Sequence, residues 1–195
     1  MDQQFWEDLY RAKDQLWSGA PNGALVAEVA ELPPGQALDL GCGEGADALW
    51  LAGRGWLVTA VDLSRVALER AAAAAGDAKV SWTHADLTTY TPPAGAFDLV
   101  VAMYGAIPHT AEQAVQRMLA AVAPGGTLLV GGHDLTHMHE HQSPLDPKDY
   151  YTPGEIAELL DDTWTVLVNE TRPRVSAPPG TGHVNDVVLR ARKET

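Results

Sequence analysis

The stretch Ala37-Leu38-Asp39-Leu40-Gly41-Cys42-Gly43-Glu44-Gly45 places glycine at every second position of a turn. An apolar run leads into it, and a helical pattern, Ala46-Asp47-Ala48-Leu49-Trp50-Leu51-Ala52, leads out. No other part of the chain restricts the fold as tightly, because strand, tight turn and helix N-terminus are the elements that this order makes. Glycine lets the backbone take positive φ and lets a ligand come close, since no Cβ stands in the way. The helix start adds unpaired N–H groups and a positive dipole end, which suit a carboxylate or a phosphate. The turn is expected to hold a nucleoside-containing ligand.

The rhythm around the turn extends that reading. Strands are expected at Gln36–Leu40, Leu57–Val61, Val80–Thr83, Phe97–Ala102 and Thr127–Val130, with helices over 46–54, 65–75 and 111–122. Ser64 is placed to cap the second of these helices and Gly76 to stop it. Thr152-Pro153-Gly154-Glu155 has the form of a capping box with proline at the first helical position. Trp164–Val168 and Asn185–Arg192 alternate like strands, and 172–182 reads as a loop. Ahead of the first strand, Phe5, Leu9 and Leu16 form a helical stripe with Trp6 and Tyr10 beside it, which predicts a helix over 5–17. That segment can pack on the domain or close over a ligand as a lid. Alternating strands and helices indicate an α/β fold with a parallel sheet and helices on both faces. Such sheets bind ligands at the carboxyl ends of their strands, where Gly41, Asp62, Asp86, Met103 and Gly131 converge.

Length and charge narrow the function. A chain of 195 residues fits one domain. It divides into an N-terminal helical lid or packing segment (1–34), a ligand-binding half (35–131) and an acceptor-side loop with C-terminal strands (132–195). The net charge of −13, from 13 basic against 26 acidic residues, argues against nucleic acid as a partner. The N-terminus lacks the basic flank and apolar stretch of a signal peptide, and no run is long enough to span a membrane. The single cysteine, Cys42, excludes an internal disulfide and fits a cytoplasmic location.

Two nucleotide readings compete for the turn. Gly41-x-Gly43-x-x-Ala46, with Asp62 at the end of the next strand, satisfies a permissive dinucleotide fingerprint. Against it, Asp39 puts a carboxylate where a pyrophosphate would be repelled, Ala46 replaces the third glycine, and no room is left for a separate substrate domain. A minimal NAD(P)-dependent oxidoreductase is kept as an alternative on this fingerprint. A non-catalytic nucleotide-sensing domain is the other.

Five segments in this order resemble the class I S-adenosylmethionine-dependent methyltransferases: Asp39-Leu-Gly-Cys-Gly-Glu-Gly45, Val61-Asp62-Leu63-Ser64, Ala85-Asp86-Leu87, Phe97-Asp98-Leu99-Val100-Val101 and Pro124-Gly-Gly-Thr-Leu-Leu129. Chain size and layout are most similar to the small-molecule branch related to TehB-type tellurite-resistance enzymes. The resemblance implies a Rossmann-like, doubly wound, seven-stranded and mostly parallel sheet whose last strand, Asn185–Arg192, is antiparallel. It implies S-adenosylmethionine as cofactor. Gly41, Cys42 and Gly43 would lie along its methionine part, with Asp39 favouring the ammonium group. Asp62 would accept from the ribose hydroxyls, Leu63 and Leu87 would flank adenine, Asp86 would accept from its amino group, and Met103 or Tyr104 would border the sulfur.

Methyl transfer from a sulfonium asks mainly for positioning. An anionic acceptor, such as a thiolate or chalcogen anion, needs no strong base, whereas a hydroxyl or amine needs one within hydrogen-bond reach. His109 and His133 follow strands on the ligand-binding edge and are the candidate acceptor-pocket bases, with Tyr104 and Tyr10 beside them. His137, His139 and His141, with Glu140, form a cluster better read as a loop over the acceptor site than as a metal centre. No metal is expected.

Overall fold

The computed structural model describes residues 3–134, 147–175 and 184–195. The elements are α1 (Gln3–Arg11), α2 (Gly23–Val29), β1 (Gln36–Leu40), α3 (Ala46–Gly53), β2 (Leu57–Asp62), α4 (Arg65–Ala74), β3 (Val80–His84), β4 (Phe97–Met103), α5 (Glu112–Ala121), β5 (Val122–His133), α6 (Pro153–Glu158), β6 (Trp164–Pro173) and β7 (Asn185–Lys193). They build a seven-stranded sheet of order β3-β2-β1-β4-β5-β7-β6. Strands β1 to β5 run parallel, and β7 runs antiparallel to both β5 and β6. The expected doubly wound sheet with a reversed last strand is the one observed.

Helices cover both faces because the central strands are apolar on both. Leu38, Val100, Leu128 and Leu189 point into a core closed by α5 and α6. Their neighbours Ala37, Leu99, Val101, Leu129 and Val188 point the other way, into a core closed by α2 and α3. This alternation follows from the two-residue period of a strand, and near-continuous hydrophobic runs mark strands buried on both faces. Leu99, Val100 and Val101 are all fully buried. Each such side chain contributes roughly 1.5–3 kcal/mol by burial.

Local chemistry sets several boundaries. The Ser64 hydroxyl accepts from the Ala67 N–H at 3.2 Å and caps α4, and Thr152 with Glu155 forms the capping box of α6. Three boundaries differ from the sequence pattern. Helix α1 stops at Arg11 and does not reach residue 17, because the Leu16 and Trp17 N–H groups are taken by the Glu44 carboxylate. Strand β5 starts at Val122 and carries a register shift opposite Phe97 and Leu99, so Pro124-Gly125-Gly126 lies inside the strand. Strand β6 continues to Pro173 on the sheet edge, where a proline without a ladder donor is tolerated.

Candidate active site

The glycine turn closes over the end of β2. The Gly41 and Cys42 N–H groups both donate to the Val61 carbonyl, at 2.8 and 3.1 Å. Glycine is obligatory at 45, where φ is +83° and a Cβ would lie 2.6 Å from the Trp82 ring and 2.9 Å from the Ala71 methyl. At Gly43 (φ +54°) the side-chain direction is already filled, because a Cβ would sit 2.9 Å from the Tyr10 hydroxyl. Tight packing of turn, α4 and β3 thus fixes the backbone that a ligand would meet.

Carboxylates ring this turn. Asp39 is buried at the end of β1, and its Oδ2 has no hydrogen-bond partner among the described residues. Burial raises its pKa well above the ordinary carboxylate value, and the neighbouring charges of Asp47 and Asp62 push in the same direction. Asp47, in the first turn of α3, accepts from the backbone and side-chain amides of Asn22, both at 2.7 Å. Asp62 accepts from the Gly43 N–H through one oxygen and from the Ser64 N–H through the other, both at 2.8 Å. Burial raises its pKa too, against those two donors. Each bonded oxygen keeps a second lone pair, so a fixed Asp62 can still receive a pair of hydroxyls. Asp86 is exposed, and its Oδ1 accepts from the Thr88 N–H and hydroxyl, an Asx turn. Leu63 and Leu87 are half-buried, and Leu87 lies 3.8 Å from where a Cβ on Gly41 would be. Burial, and then the charges of Asp39 and Asp62, push the Cys42 thiol up, so it stays protonated and is no nucleophile. Met103 is buried and packs over Gly131.

The N-terminal segment is fastened onto this turn. Glu7 is buried and accepts from the Arg65 N–H at the start of α4, a favourable place for an anion. Arg70 ties Glu44 to the Tyr10 and Lys13 carbonyls at 2.8, 2.8 and 2.7 Å. Tyr10, the expected pocket residue of this segment, accepts from the Trp17 indole at 3.1 Å and faces Gly43. These residues pack the N-terminal segment onto the turn.

A second group of side chains gathers where β4, β5 and β7 meet. Tyr104, one residue past β4, is the only described non-glycine residue with positive φ, at +56°. Such a conformation costs of order 1–3 kcal/mol and persists only where the surroundings impose it. Here the surroundings are explicit. The Tyr104 N–H donates to the Gly131 carbonyl at 2.7 Å, and its hydroxyl donates to Asp186 Oδ1 at 2.8 Å. Its ring lies 4.3 Å from the His133 ring, and the Arg174 guanidinium sits 5.0 Å above it. Burial, reinforced by the Asp186 acceptor, raises the Tyr104 hydroxyl above an ordinary phenol, so it remains protonated.

The structure stacks Tyr104 on His133 and gives His109 and Tyr10 other partners. His109 lies in a short 3₁₀ turn before α5, 3.4 Å from Glu155 and 4.6 Å from the Tyr151 ring. The expected cluster of His137, His139, Glu140 and His141 lies outside the described residues, as does His183. Among the described residues no group of acidic, cysteine and histidine side chains is arranged to hold a metal ion. None of their helices is long and apolar enough to cross a membrane.

A family model described as a methyltransferase domain matches residues 37–126, from β1 into β5. The likeness to the methyltransferase domain thus spans the glycine turn and β1 to β4. An uncharacterized methyltransferase of Mycobacterium tuberculosis is 38% identical over 120 residues, 60% of this chain and 60% of that protein. The matched stretch thus leaves two fifths of that relative unaligned. A 2-heptyl-1-hydroxyquinolin-4(1H)-one methyltransferase of Mycobacteroides abscessus is 28% identical over 84% of this chain and 78% of its own length. Among solved structures, one reported for the conversion of a disulfide bond into a thioacetal group during echinomycin biosynthesis has a TM-score of 0.76 at 26% identity, covering 98% and 92% of the two chains. TehB from Haemophilus influenzae has a TM-score of 0.69 at 17% identity, covering 96% of this chain and 67% of that one, a likeness of fold.

The residues around the glycine turn fit S-adenosylmethionine, the cofactor that the likeness implies. The unpaired Asp39 oxygen, inside a ring of buried carboxylates, calls for a cationic donor such as an amino-acid ammonium group. Asp186 and Arg174 were not among the residues singled out from sequence. The one local signal was an aspartate on the inward face at the start of a strand, just ahead of an apolar run.

Proposed function

We propose that this chain transfers the methyl group of S-adenosylmethionine to a small-molecule acceptor by in-line displacement. The observation that carries this reading is the buried, unpartnered Asp39 oxygen behind the glycine turn. S-adenosylmethionine, when bound, supplies an electrophilic methyl on a sulfonium leaving group. Asp39 meets its ammonium group, while Gly41, Cys42 and Gly43 offer close backbone approach along the methionine part. Asp62, oriented by Gly43 and Ser64, receives the ribose hydroxyls. Leu63 and Leu87 flank the adenine, Asp86 receives its amino group, and Met103 borders the sulfur side.

The acceptor side is Tyr104 with His133, covered towards the turn by Tyr10. The acceptor is a thiol, a chalcogen anion, a hydroxyl or an amine. The mycobacterial relative named for a hydroxyquinolone supports a small, neutral ring system within that range. Nucleic acid and membrane lipid are not partners in this reading, given the net charge of −13. A cytoplasmic location suits the free Cys42 thiol, and residues 1–195 act as one domain.

Calorimetry with S-adenosylhomocysteine and with NADH tests the cofactor, and binding of NADH alone sinks the reading. Mass spectrometry on a panel of thiols, chalcogen oxyanions, phenols and amines tests the transfer itself. Methylated product is expected from at least one class.

A further inference from the structure

The Tyr104 hydroxyl has a single hydrogen, and that hydrogen is committed to Asp186. The phenolic oxygen therefore meets any ligand with lone pairs only, and what sits against it must donate. An anion there would face those lone pairs with the Asp186 carboxylate behind them. A neutral hydroxyl would be received. The arrangement is held from every side. Asp186 is buried and lies in register with His133 on β5 and with Arg172 on β6. Arg174 approaches Asp186 Oδ1 at 3.8 Å and covers the Tyr104 ring. Asn185, just ahead of Asp186, donates to Asp134 at 3.2 Å. A strained backbone at Tyr104 is the local cost of aiming this hydroxyl at Asp186.

The pair also lies in the right place. Gly105, the next residue, has its Cα 3.9 Å from where a Cβ on Gly41 would be, so the chain leaving β4 runs across the glycine turn. The phenol is thus anchored beside the turn that holds the methyl donor, and Asp186 reaches it because reversed β7 starts at this edge.

Resting on the methyl-transfer reading, we infer that Tyr104 and Asp186 form a proton-accepting pair for a neutral hydroxyl acceptor, of the phenol or N-hydroxy heterocycle class. The acceptor O–H proton passes to the Tyr104 oxygen while the Tyr104 proton passes to Asp186 Oδ1. The oxygen lone pair so released forms the new bond to the methyl carbon, and the carbon–sulfur pair stays on the donor sulfur. The proton ends on Asp186, from which solvent removes it between turnovers. Tyr104 is the catalytic residue of the pair, and Asp186 acts through it.

The test uses phenols of graded acidity with wild type, Tyr104→Phe and Asp186→Asn. Tyr104→Phe keeps the ring and its stacking on His133 and Arg174, and thermal unfolding with S-adenosylhomocysteine affinity checks that each variant is folded and loaded. For weakly acidic phenols, protonated at the assay pH, kcat is expected to fall about 100-fold or more in both variants. For nitrophenols, already ionised, kcat is expected to change little. A second readout needs no turnover: calorimetry in the presence of S-adenosylhomocysteine should show Tyr104→Phe losing affinity for the weakly acidic phenols and keeping it for nitrophenolates. Equal losses for ionised and protonated phenols, or no loss for either, overturn the pair while leaving methyl transfer intact. A folded wild type that binds S-adenosylhomocysteine and methylates no member of the series, alongside no product from the wider panel, overturns both.

Discussion

The two halves of the carboxyl edge are built on different principles. At the tips of β1 and β2 the site is mostly backbone: a turn of three positive-φ glycines, amide groups fixed on the Val61 carbonyl, and carboxylates held by nearby N–H groups. At the tips of β4, β5 and β7 it is mostly side chain: a phenol, an imidazole, a guanidinium and a carboxylate packed on one another. Backbone geometry suits a ligand that never changes, because it cannot be substituted residue by residue. A side-chain cluster suits a ligand that differs from one relative to the next.

The sharpest way to break this contrast is Gly45→Ala. Positive φ and the clash with Trp82 and Ala71 together should destabilise the protein by about 3 kcal/mol or more. Urea denaturation reads that loss, and an unmoved midpoint would show that the turn does not need its glycine. Asp62→Ala comes next, weakening S-adenosylhomocysteine by about 1–3 kcal/mol in calorimetry through lost charged hydrogen bonds. Asp186→Asn should leave that affinity unchanged, and a comparable drop there would erase the division between the two halves.

Asp39→Asn sharpens the comparison through pH. The Asp39 pKa is raised in the folded protein, so the folded state holds a proton that the unfolded state releases above about pH 3.9. Stability attributable to this group is full below that pH and is lost as pH rises towards the raised folded value. The ligand-free Asn variant should therefore match wild type in acid and exceed it at neutral pH, while binding S-adenosylhomocysteine more weakly. Equal pH profiles of stability would contradict the cost of burying Asp39. The smallest effect is expected at His109. Its partner Glu155 is well exposed, such pairs contribute about 0–1 kcal/mol, and His109→Ala should leave both stability and turnover nearly unchanged. His133→Ala, which removes the ring stacked on Tyr104, should lower kcat on the same substrate, and the reverse ranking would move the acceptor site to α5.

The same contrast explains what the sequence could reveal. The succession of strands and helices along the chain and the glycine turn were legible because each depends on neighbours within a few residues and on the two-residue period of buried strands, and the same pattern placed Asp39, Asp62 and Asp86 at or beside strand ends. Asp186 and Arg174 were not, because Tyr104 and Asp186 meet only through the placement of β7 beside β5. The end of α1 was missed for a similar reason, since Leu16 continues the apolar stripe while its N–H is claimed by distant Glu44. The place of His109 after β4 was legible, whereas its contact with Glu155 depends on the 3₁₀ turn and on α6 packing beside it.

The reversal of β7 has a consequence for how this architecture can change. A parallel strand in that slot would begin at the opposite edge of the sheet and leave Asp186 far from Tyr104. Laid antiparallel, the β6–β7 ribbon carries Arg174 and Asp186 to the working edge as one contiguous piece of chain. A lineage can exchange that ribbon by recombination near the C-terminus and acquire a new chemistry of recognition in a single step. The glycine turn, encoded far upstream, is inherited untouched.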